Sequence, residues 1–266
     1  MRLSVLIDFF KLALIFGAIW AAFTFIPFSF FDSPELQLSI EKEEKLGEMI
    51  VNELVLEDKN YVVVSNPILD SAMNVISKKL IKQLGTTDYD YKIIVIENEM
   101  INAFTLPGGN IFVYSGLIKF SEHPEELASV LAHEIGHVEK RHVISKLIKE
   151  LGLTLMLSVL TGGDNVLTRE VGRTALASVF DRKQEEEADK FALDLLEKAK
   201  INPKVMATFF RRLNEKLGNY NENLEILMSH PHNNSRIKSA LEYETQLNFK
   251  SEKLNLNWEL VQKSLQ

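Results

Sequence analysis

The sequence contains no cysteine. Without thiolates it cannot build a disulfide framework, an iron–sulfur cluster, a thiolate zinc finger or a cysteine nucleophile. Basic side chains are also scarce relative to acidic ones, 30 against 37, and the net charge of −7 argues against nucleic acid as the main partner. The 46% of apolar and 25% of charged residues are the balance of a globular protein, which excludes wholesale disorder, collagen and a polytopic membrane protein.

One long uncharged run is present, from Leu12 to Phe31. As a helix it would be about 30 Å long, the thickness of a bilayer core. Arg2 and Lys11 precede the run, and Asp32 and Glu35 follow it. The positive-inside rule then predicts a cytoplasmic N-terminus, with the rest of the chain across the membrane on the periplasmic side.

A cleaved signal peptide is the alternative for this segment, and it would release the rest of the chain into the periplasm. The run is longer than the apolar region of a signal and ends in bulky aromatic residues instead of a small-x-small site, which favours an uncleaved anchor. A buried core helix is disfavoured because the run has no polar face. We therefore expect a membrane anchor at residues 1–31 and one domain at residues 32–266.

The pattern in this domain indicates a mostly helical α+β fold. Residues 36–83 have apolar side chains at helical spacing, while Tyr91–Glu97 and Asn110–Tyr114 are rich in strand-forming residues. Nearly everything from Pro124 onward favours helix. Breaks between helices are expected at three clusters of turn-forming residues: 161–164, 201–203 and 229–231. One small sheet followed by many helices is typical of a single α+β domain.

A candidate metal motif reads His133-Glu134-Ile135-Gly136-His137. Residues four apart lie on one face of a helix, so the imidazoles of His133 and His137 can bind one metal ion. Glu134 then lies within reach of a water on that ion. The alternative, two surface histidines spaced four apart by chance, is weaker in a chain with only six histidines. His142 is a poor further ligand, because a continuous helix would turn it to the opposite face.

A third ligand is expected in the segment after residue 180, because a catalytic zinc has three protein ligands and an open position. Helical phase places Glu185 and Asp189 on an apolar face and Glu186 on the polar side. A buried carboxylate is costly, and a metal ion bound by Glu185 would remove that cost. Asp189 could accept the N–H of a ligating histidine. The alternative is a structural ion pair with Arg182 or a buried lysine.

Four segments in order resemble the membrane-associated gluzincin metallopeptidases, the family of CAAX prenyl proteases, HtpX and periplasmic BepA-like proteases. They are NAFTLPGGNIFV at 102–113, HEIGHVEKRH at 133–142, FDRKQEEEAD at 180–189 and SHPHNNSRI at 229–237. The resemblance implies a zincin fold and a zinc-dependent endopeptidase with one Zn²⁺ held by His133, His137 and Glu185. With one candidate span, the chain departs from the multi-spanning CAAX proteases.

The resemblance also implies roles for residues around the zinc. Glu134 would be the general base, and Asp189 would accept a hydrogen bond from a ligating histidine. His230 and Arg236 would stabilise the oxyanion, or His230 would occupy the open zinc position as a plug. Judged from the residues alone, His230 is a helix-boundary residue before Pro231.

The expected substrate-binding segment is a glycine-led strand: Gly108, Gly109, Asn110, Ile111, Phe112 and Val113. Paired glycines allow close backbone approach, and an edge strand can pair with an extended peptide. Such pairing is largely blind to sequence, which suits quality control of misfolded or misassembled envelope and membrane proteins. The rival class is a non-catalytic, zinc-stabilised assembly factor or chaperone at the membrane, in which a fourth protein ligand closes the metal site.

Overall fold

The computed structural model describes Lys11 and residues 14–17, 38–57, 61–162, 165–177, 179–217 and 233–265. The chain divides into two compact units, Met1–Gln37 and Leu38–Gln266. Leu12–Phe31 lies almost entirely outside the described residues, so the predicted anchor remains a prediction. Within the described part, no helix combines the length and the apolar character needed to cross a membrane.

The second unit consists of a small sheet surrounded by helices, which confirms the expected α+β class. Its first helix, α1 (Ile40–Val51), continues into a π-helical turn at Asn52–Glu57. The helices are α1 (Ile40–Val51), α2 (Pro67–Ile81), α3 (Ser115–Phe120), α4 (Pro124–Glu139), α5 (His142–Leu151), α6 (Leu153–Leu160), α7 (Asn165–Leu176), α8 (Arg182–Lys198), α9 (Val205–Leu217), α10 (Asn233–Glu242) and α11 (Trp258–Lys263). The strands are β1 (Lys92–Ile96), β2 (Ala103–Leu106) and β3 (Asn110–Tyr114).

The sheet has the strand order β1-β3-β2, so β3 lies in the centre. It pairs in parallel with β1 and antiparallel with β2. The expectation that the strand Asn110–Tyr114 is an edge available to a peptide is therefore wrong. The physical reason is visible in the sequence NIFVY, whose five residues are all buried: a continuous apolar run is typical of a strand covered on both faces.

The edge strand of this sheet is instead β2. No strand of the described residues pairs with its outer side, whereas the outer side of β1 is partly covered by a bridge between Val63 and Ile96. The four residues of β2 lie between Asn102 and Pro107, and so short a segment has too little alternation to be read as a strand.

The sheet separates two apolar cores, because successive side chains of a strand point to opposite faces. Ile111 and Val113 of β3 belong to a core shared with α2, α4, α8 and α9. Phe112 and Tyr114 belong to a second core shared with α1, α5, α6 and α7. Helix α4 therefore packs on the face of the sheet that Ile111 and Val113 form, and it lies beside β2.

Helices α4 and α8 approach each other closely. A Cβ on Gly136 would lie 3.0 Å from the carbonyl oxygen of Ala188, so the absence of a side chain permits this spacing. Helix α8 begins with a capping box in which Asp181 and Gln184 satisfy each other's backbone N–H groups. The glycine allows α8 to lie close to the metal motif on α4, and the capping box sets the residue at which α8 begins.

Candidate metal centre

Three buried side chains converge where α4 faces α8. The Nε2 atoms of His133 and His137 are 3.0 Å apart. The Glu185 carboxylate lies 3.6 Å from the first through Oε2 and 3.4 Å from the second through Oε1. All three residues are no more than 3% exposed. The predicted helical phase of Glu185 is thus confirmed, and α8 brings it to the two imidazoles.

This set of donor atoms fits a zinc ion. Zinc accepts imidazole nitrogen and carboxylate oxygen, and three protein ligands leave the open position that a catalytic site requires. Two imidazoles whose Nε2 atoms converge on a carboxylate are a buried polar arrangement that a shared cation would stabilise. His133, His137 and Glu185 are the residues of the described chain whose ligand atoms group in this way.

His133 is supported by a carboxylate. Its Nδ1 lies 2.9 Å from Oδ1 of Asp189. An imidazole that presents Nε2 to a metal carries its proton on Nδ1, so Nδ1–H donates to Asp189. Nη2 of Arg236 is 2.8 Å from the same Nδ1, but in this tautomer both atoms are donors and their contact is not a hydrogen bond.

Arg236 holds Asp189 in place. Its Nε donates to both carboxylate oxygens at 3.0 Å and its Nη2 donates to Oδ1 at 2.7 Å. Burial raises the pKa of the Asp189 carboxyl, but the charge of Arg236 and hydrogen bonds from His133 and Arg236 outweigh it and hold that pKa below its usual range. Asp189 therefore remains a carboxylate. Nη1 of Arg236 lies 3.6 Å from Oε2 of Glu185.

Glu134 is positioned by a residue that the sequence did not single out. Thr105 of β2 donates from Oγ1 to Oε2 of Glu134 at 2.7 Å. Glu134 also borders a cavity of ≈ 10 Å³, about the size of one water. The side chains around this cavity include Ser129, His133, Glu134, Phe210 and Arg236. No sequence signal marks a threonine in a four-residue strand as a partner of the motif.

His142 contacts the site, contrary to the expectation from a continuous helix. Helix α4 ends at Glu139, Arg141 adopts the left-handed conformation with φ 55°, and α5 begins at His142. The chain thereby turns back, and Nδ1 of His142 lies 2.9 Å from Nδ1 of His137. His142 is outside the group of three ligands, as predicted, but it touches one of them.

The other predicted site residues have different outcomes. His230 lies outside the described residues. Arg236 lies at the site, although three of its hydrogen bonds go to Asp189. Gly108 and Gly109 form the turn before β3 with φ of 75° and 77°, and the N–H of Gly108 points to the Glu43 carboxylate at 3.5 Å.

A mostly helical domain with this donor set on two packed helices defines a zinc metallopeptidase of the zincin type. The family model for peptidase family M48 matches residues 67–244, well over half of the chain. The chain therefore belongs to peptidase family M48, which confirms the resemblance found in the sequence.

Three relatives illustrate the range of similar proteins. The beta-barrel assembly-enhancing protease of Escherichia coli (strain K12) is 28% identical over 216 residues, which are 76% of this chain and 44% of that protein. The mitochondrial metalloendopeptidase OMA1 of Schizosaccharomyces pombe is 26% identical over 218 residues, 81% of this chain and 65% of that protein. OMA1 of Arabidopsis thaliana is 34% identical over 155 residues, which are 56% of this chain and 30% of that protein. This chain thus spans less than half of the assembly-enhancing protease.

Proposed function

We propose that this chain is a zinc-dependent endopeptidase that hydrolyses peptide bonds of extended protein substrates. One observation carries the proposal: His133, His137 and Glu185 converge as a three-ligand set, and Glu134 lies on the helix that carries the two histidines. A purely structural zinc site usually closes with a fourth protein ligand. In the described residues the group has three members, which favours the enzyme over a zinc-stabilised chaperone or assembly factor.

The chain's own residues divide the chemistry among them. When bound, zinc lowers the pKa of its water toward about 7 and polarises the substrate carbonyl. Glu134 accepts the proton of the attacking water at its carboxylate and passes it to the leaving amine. Thr105 keeps one oxygen of that carboxylate in a defined place through its 2.7 Å hydrogen bond. Asp189 fixes the tautomer of His133, and Arg236 fixes Asp189.

The contacts of Arg236 also change what we propose for it. With its guanidinium engaged by Asp189, it acts chiefly as a positioning residue for the zinc ligands. Stabilisation of the oxyanion by Arg236 or His230 stays a prediction, as does the role of His230 as a plug, because His230 lies outside the described residues.

The edge strand β2 is the better candidate for binding the substrate main chain. It takes the role first expected of Gly108–Val113, because β3 is paired on both sides. An extended peptide can add to an unpaired edge through main-chain hydrogen bonds. Thr105 belongs to this strand and also holds Glu134, so one element would place both the substrate and the general base.

The names of the relatives support a cellular role. They include a beta-barrel assembly-enhancing protease and a mitochondrial metalloendopeptidase. We infer that this chain acts in quality control of misassembled membrane or envelope proteins. We further propose that residues 1–31 anchor it to the membrane, with the catalytic domain on the extracytoplasmic side.

The test is casein digestion by the purified full chain. Wild type should cleave casein, a chelator should abolish cleavage, and added Zn²⁺ should restore it. Glu134→Gln should lose activity by at least about 10²-fold while it retains zinc, because it removes the proton acceptor and no ligand. Glu170→Gln, on the exposed side of α7, is the matched control and should behave as wild type. Full activity of Glu134→Gln would refute its role, and a zinc-loaded wild type without activity would favour the chaperone.

A further inference from the structure

The two histidines of the metal centre are supported in different ways. The Nδ1–H of His133 donates to the carboxylate of Asp189, which the buried Arg236 holds in place. Behind His137 stands a second imidazole, His142, whose far nitrogen Nε2 lies 3.2 Å from Oε2 of Glu187. We propose that His142 and Glu187 form a relay that fixes the tautomer and the ring orientation of His137. This inference rests on the proposed zinc site.

Hydrogen-bond roles in the relay follow from donor counting. Two ring nitrogens 2.9 Å apart need one donor and one acceptor. His137 presents Nε2 to the metal position, so its proton is on Nδ1 and it is the donor. His142 must then accept at Nδ1 and carry its own proton on Nε2. That Nε2–H faces the Glu187 carboxylate, which selects the required tautomer.

The position of His142 agrees with these roles. The residue is 4% exposed, and its Nδ1 faces His137 instead of bulk solvent. A neutral His142 has the free lone pair that the relay requires, whereas a protonated one would present a donor to the donor of His137.

Packing holds both rings of the relay in place. The ring of Phe180 stacks on His137 with centroids 3.9 Å apart and an angle of 25°. The same ring lies 6.1 Å from the ring of His142. The left-handed Arg141 turns the chain so that His142 returns toward α4, and its guanidinium is tied to Glu43. The relay is thus built by the corner between α4 and α5.

The relay makes zinc retention depend on a residue at the protein surface. Glu187 has a side chain that is 43% exposed, whereas that of Asp189 is 7% exposed. Outer partners of metal-binding histidines commonly change metal affinity by about 10–100-fold. We expect the His137 side to be the more weakly supported of the two.

The experiment measures the zinc dissociation constant of the full-length protein by competition with a chromophoric chelator. His142→Leu removes the acceptor and keeps a side chain of similar size, and it should raise Kd about 10–100-fold. His142→Asn offers an amide oxygen near the position of Nδ1 and should restore most of the affinity. Glu187→Ala should raise Kd by a smaller factor. Glu186→Ala, its exposed neighbour paired with Arg182, should leave Kd unchanged.

Two further measurements separate this inference from the proposed function. The His137→Ala variant should lose tight zinc binding, and tight binding retained in that variant would refute the proposed site itself. If His137→Ala loses zinc while His142→Leu and Glu187→Ala bind as wild type does, the relay alone is refuted. Nitrogen-15 NMR of zinc-loaded wild type should show a protonated Nδ1 on His137 and an unprotonated Nδ1 on His142, and the opposite assignment would overturn the proposal. Should His142→Leu not fold, Glu187→Ala and the NMR spectrum still decide.

Discussion

Several buried carboxylates of this domain pair with an arginine, and two of these pairs differ in character. At the metal centre Asp189 faces Arg236, whose side chain is 3% exposed. At the corner beside α1, Glu43 faces Arg141, whose side chain is 24% exposed. The arginine holds the pKa of Asp189 below its usual range, whereas burial raises the pKa of Glu43 despite the charge and hydrogen bonds of its arginine.

The environment of each arginine accounts for the difference. Arg236 directs three hydrogen bonds to Asp189, away from competing water. Arg141 divides its guanidinium between Glu43 and the backbone carbonyl of Leu38 and remains partly in solvent, which screens its charge. An arginine beside a buried carboxylate is therefore insufficient by itself to lower the pKa of that carboxyl. The metal centre has the arrangement that maintains a full negative charge behind His133.

The largest expected effect comes from removing the arginine at the metal centre. Arg236→Met leaves Asp189 and Glu185 as buried carboxylates without their cation. We expect the free energy of unfolding to fall by about 3–5 kcal/mol, the usual cost of leaving a buried charge uncompensated. Urea denaturation of the zinc-free protein measures it, since chelation removes the contribution of metal binding.

Arg141→Met is the matched variant at the corner. Because Arg141 is partly exposed and burial dominates the pKa of Glu43, we expect a smaller loss of about 1–3 kcal/mol. Equal losses at the two positions would show that the difference in exposure has no energetic consequence and would contradict the comparison.

Substitution of a glycine beside each pair should lower the stability by an intermediate amount. Gly108, whose N–H points to Glu43, has φ 75°, and a Cβ there would lie 2.6 Å from the Cα of Glu44. Gly136→Ala would place its Cβ 3.0 Å from the backbone of Ala188. We expect Gly108→Ala to cost about 2–3 kcal/mol, through left-handed strain and the collision with backbone.

Gly136→Ala should cost less in stability, about 1 kcal/mol, because alanine favours the helix interior and offsets part of the overpacking. Its distinctive consequence should be weaker zinc binding, because α8 must move by tenths of an ångström and carries Glu185 and Asp189 with it. Chelator competition on both variants tests this. If zinc affinity fell in Gly108→Ala and not in Gly136→Ala, the predicted link between the spacing of α4 and α8 and zinc binding would be contradicted.

The smallest effect concerns pH at the corner. Burial raises the pKa of Glu43 above its usual 4.5, so its contribution to stability is full below that value and is lost as pH rises through the higher folded-state pKa. Glu43→Gln removes this titration. The stability of wild type minus that of Glu43→Gln should therefore decrease from about pH 4.5 toward neutral pH. Denaturation curves at several pH values measure it, and a difference that increases with pH would contradict the raised pKa.

Local patterns were sufficient where a residue's role depends on the phase of its own helix. The spacing of His133 and His137 and the buried phase of Glu185 and Asp189 could be read directly, because side-chain direction repeats regularly along a helix. The same reasoning failed at His142. It assumed a continuous helix, whereas α4 ends at Glu139 and the left-handed Arg141 turns the chain back before His142.

The sheet shows the corresponding limit for strands. The segment Asn110–Tyr114 was correctly predicted as a strand, but its neighbours are a matter of pairing between distant segments. Its continuous apolar character is compatible with a central position, and the resemblance to the family favoured an edge. The edge strand is β2, whose four residues include Thr105, the hydrogen-bond donor to Glu134.

The sequence by itself determined the class of chemistry and its principal residues, because the metal motif and the phase of α8 are properties of single helices. It also determined the family, through motifs in a fixed order. Asp189 was expected behind a ligating histidine, but only the tertiary structure decided which further groups contact these residues and how. Arg236, His142 and Thr105 each reach the site from a different element, and neither spacing nor composition encodes the approach of one element to another.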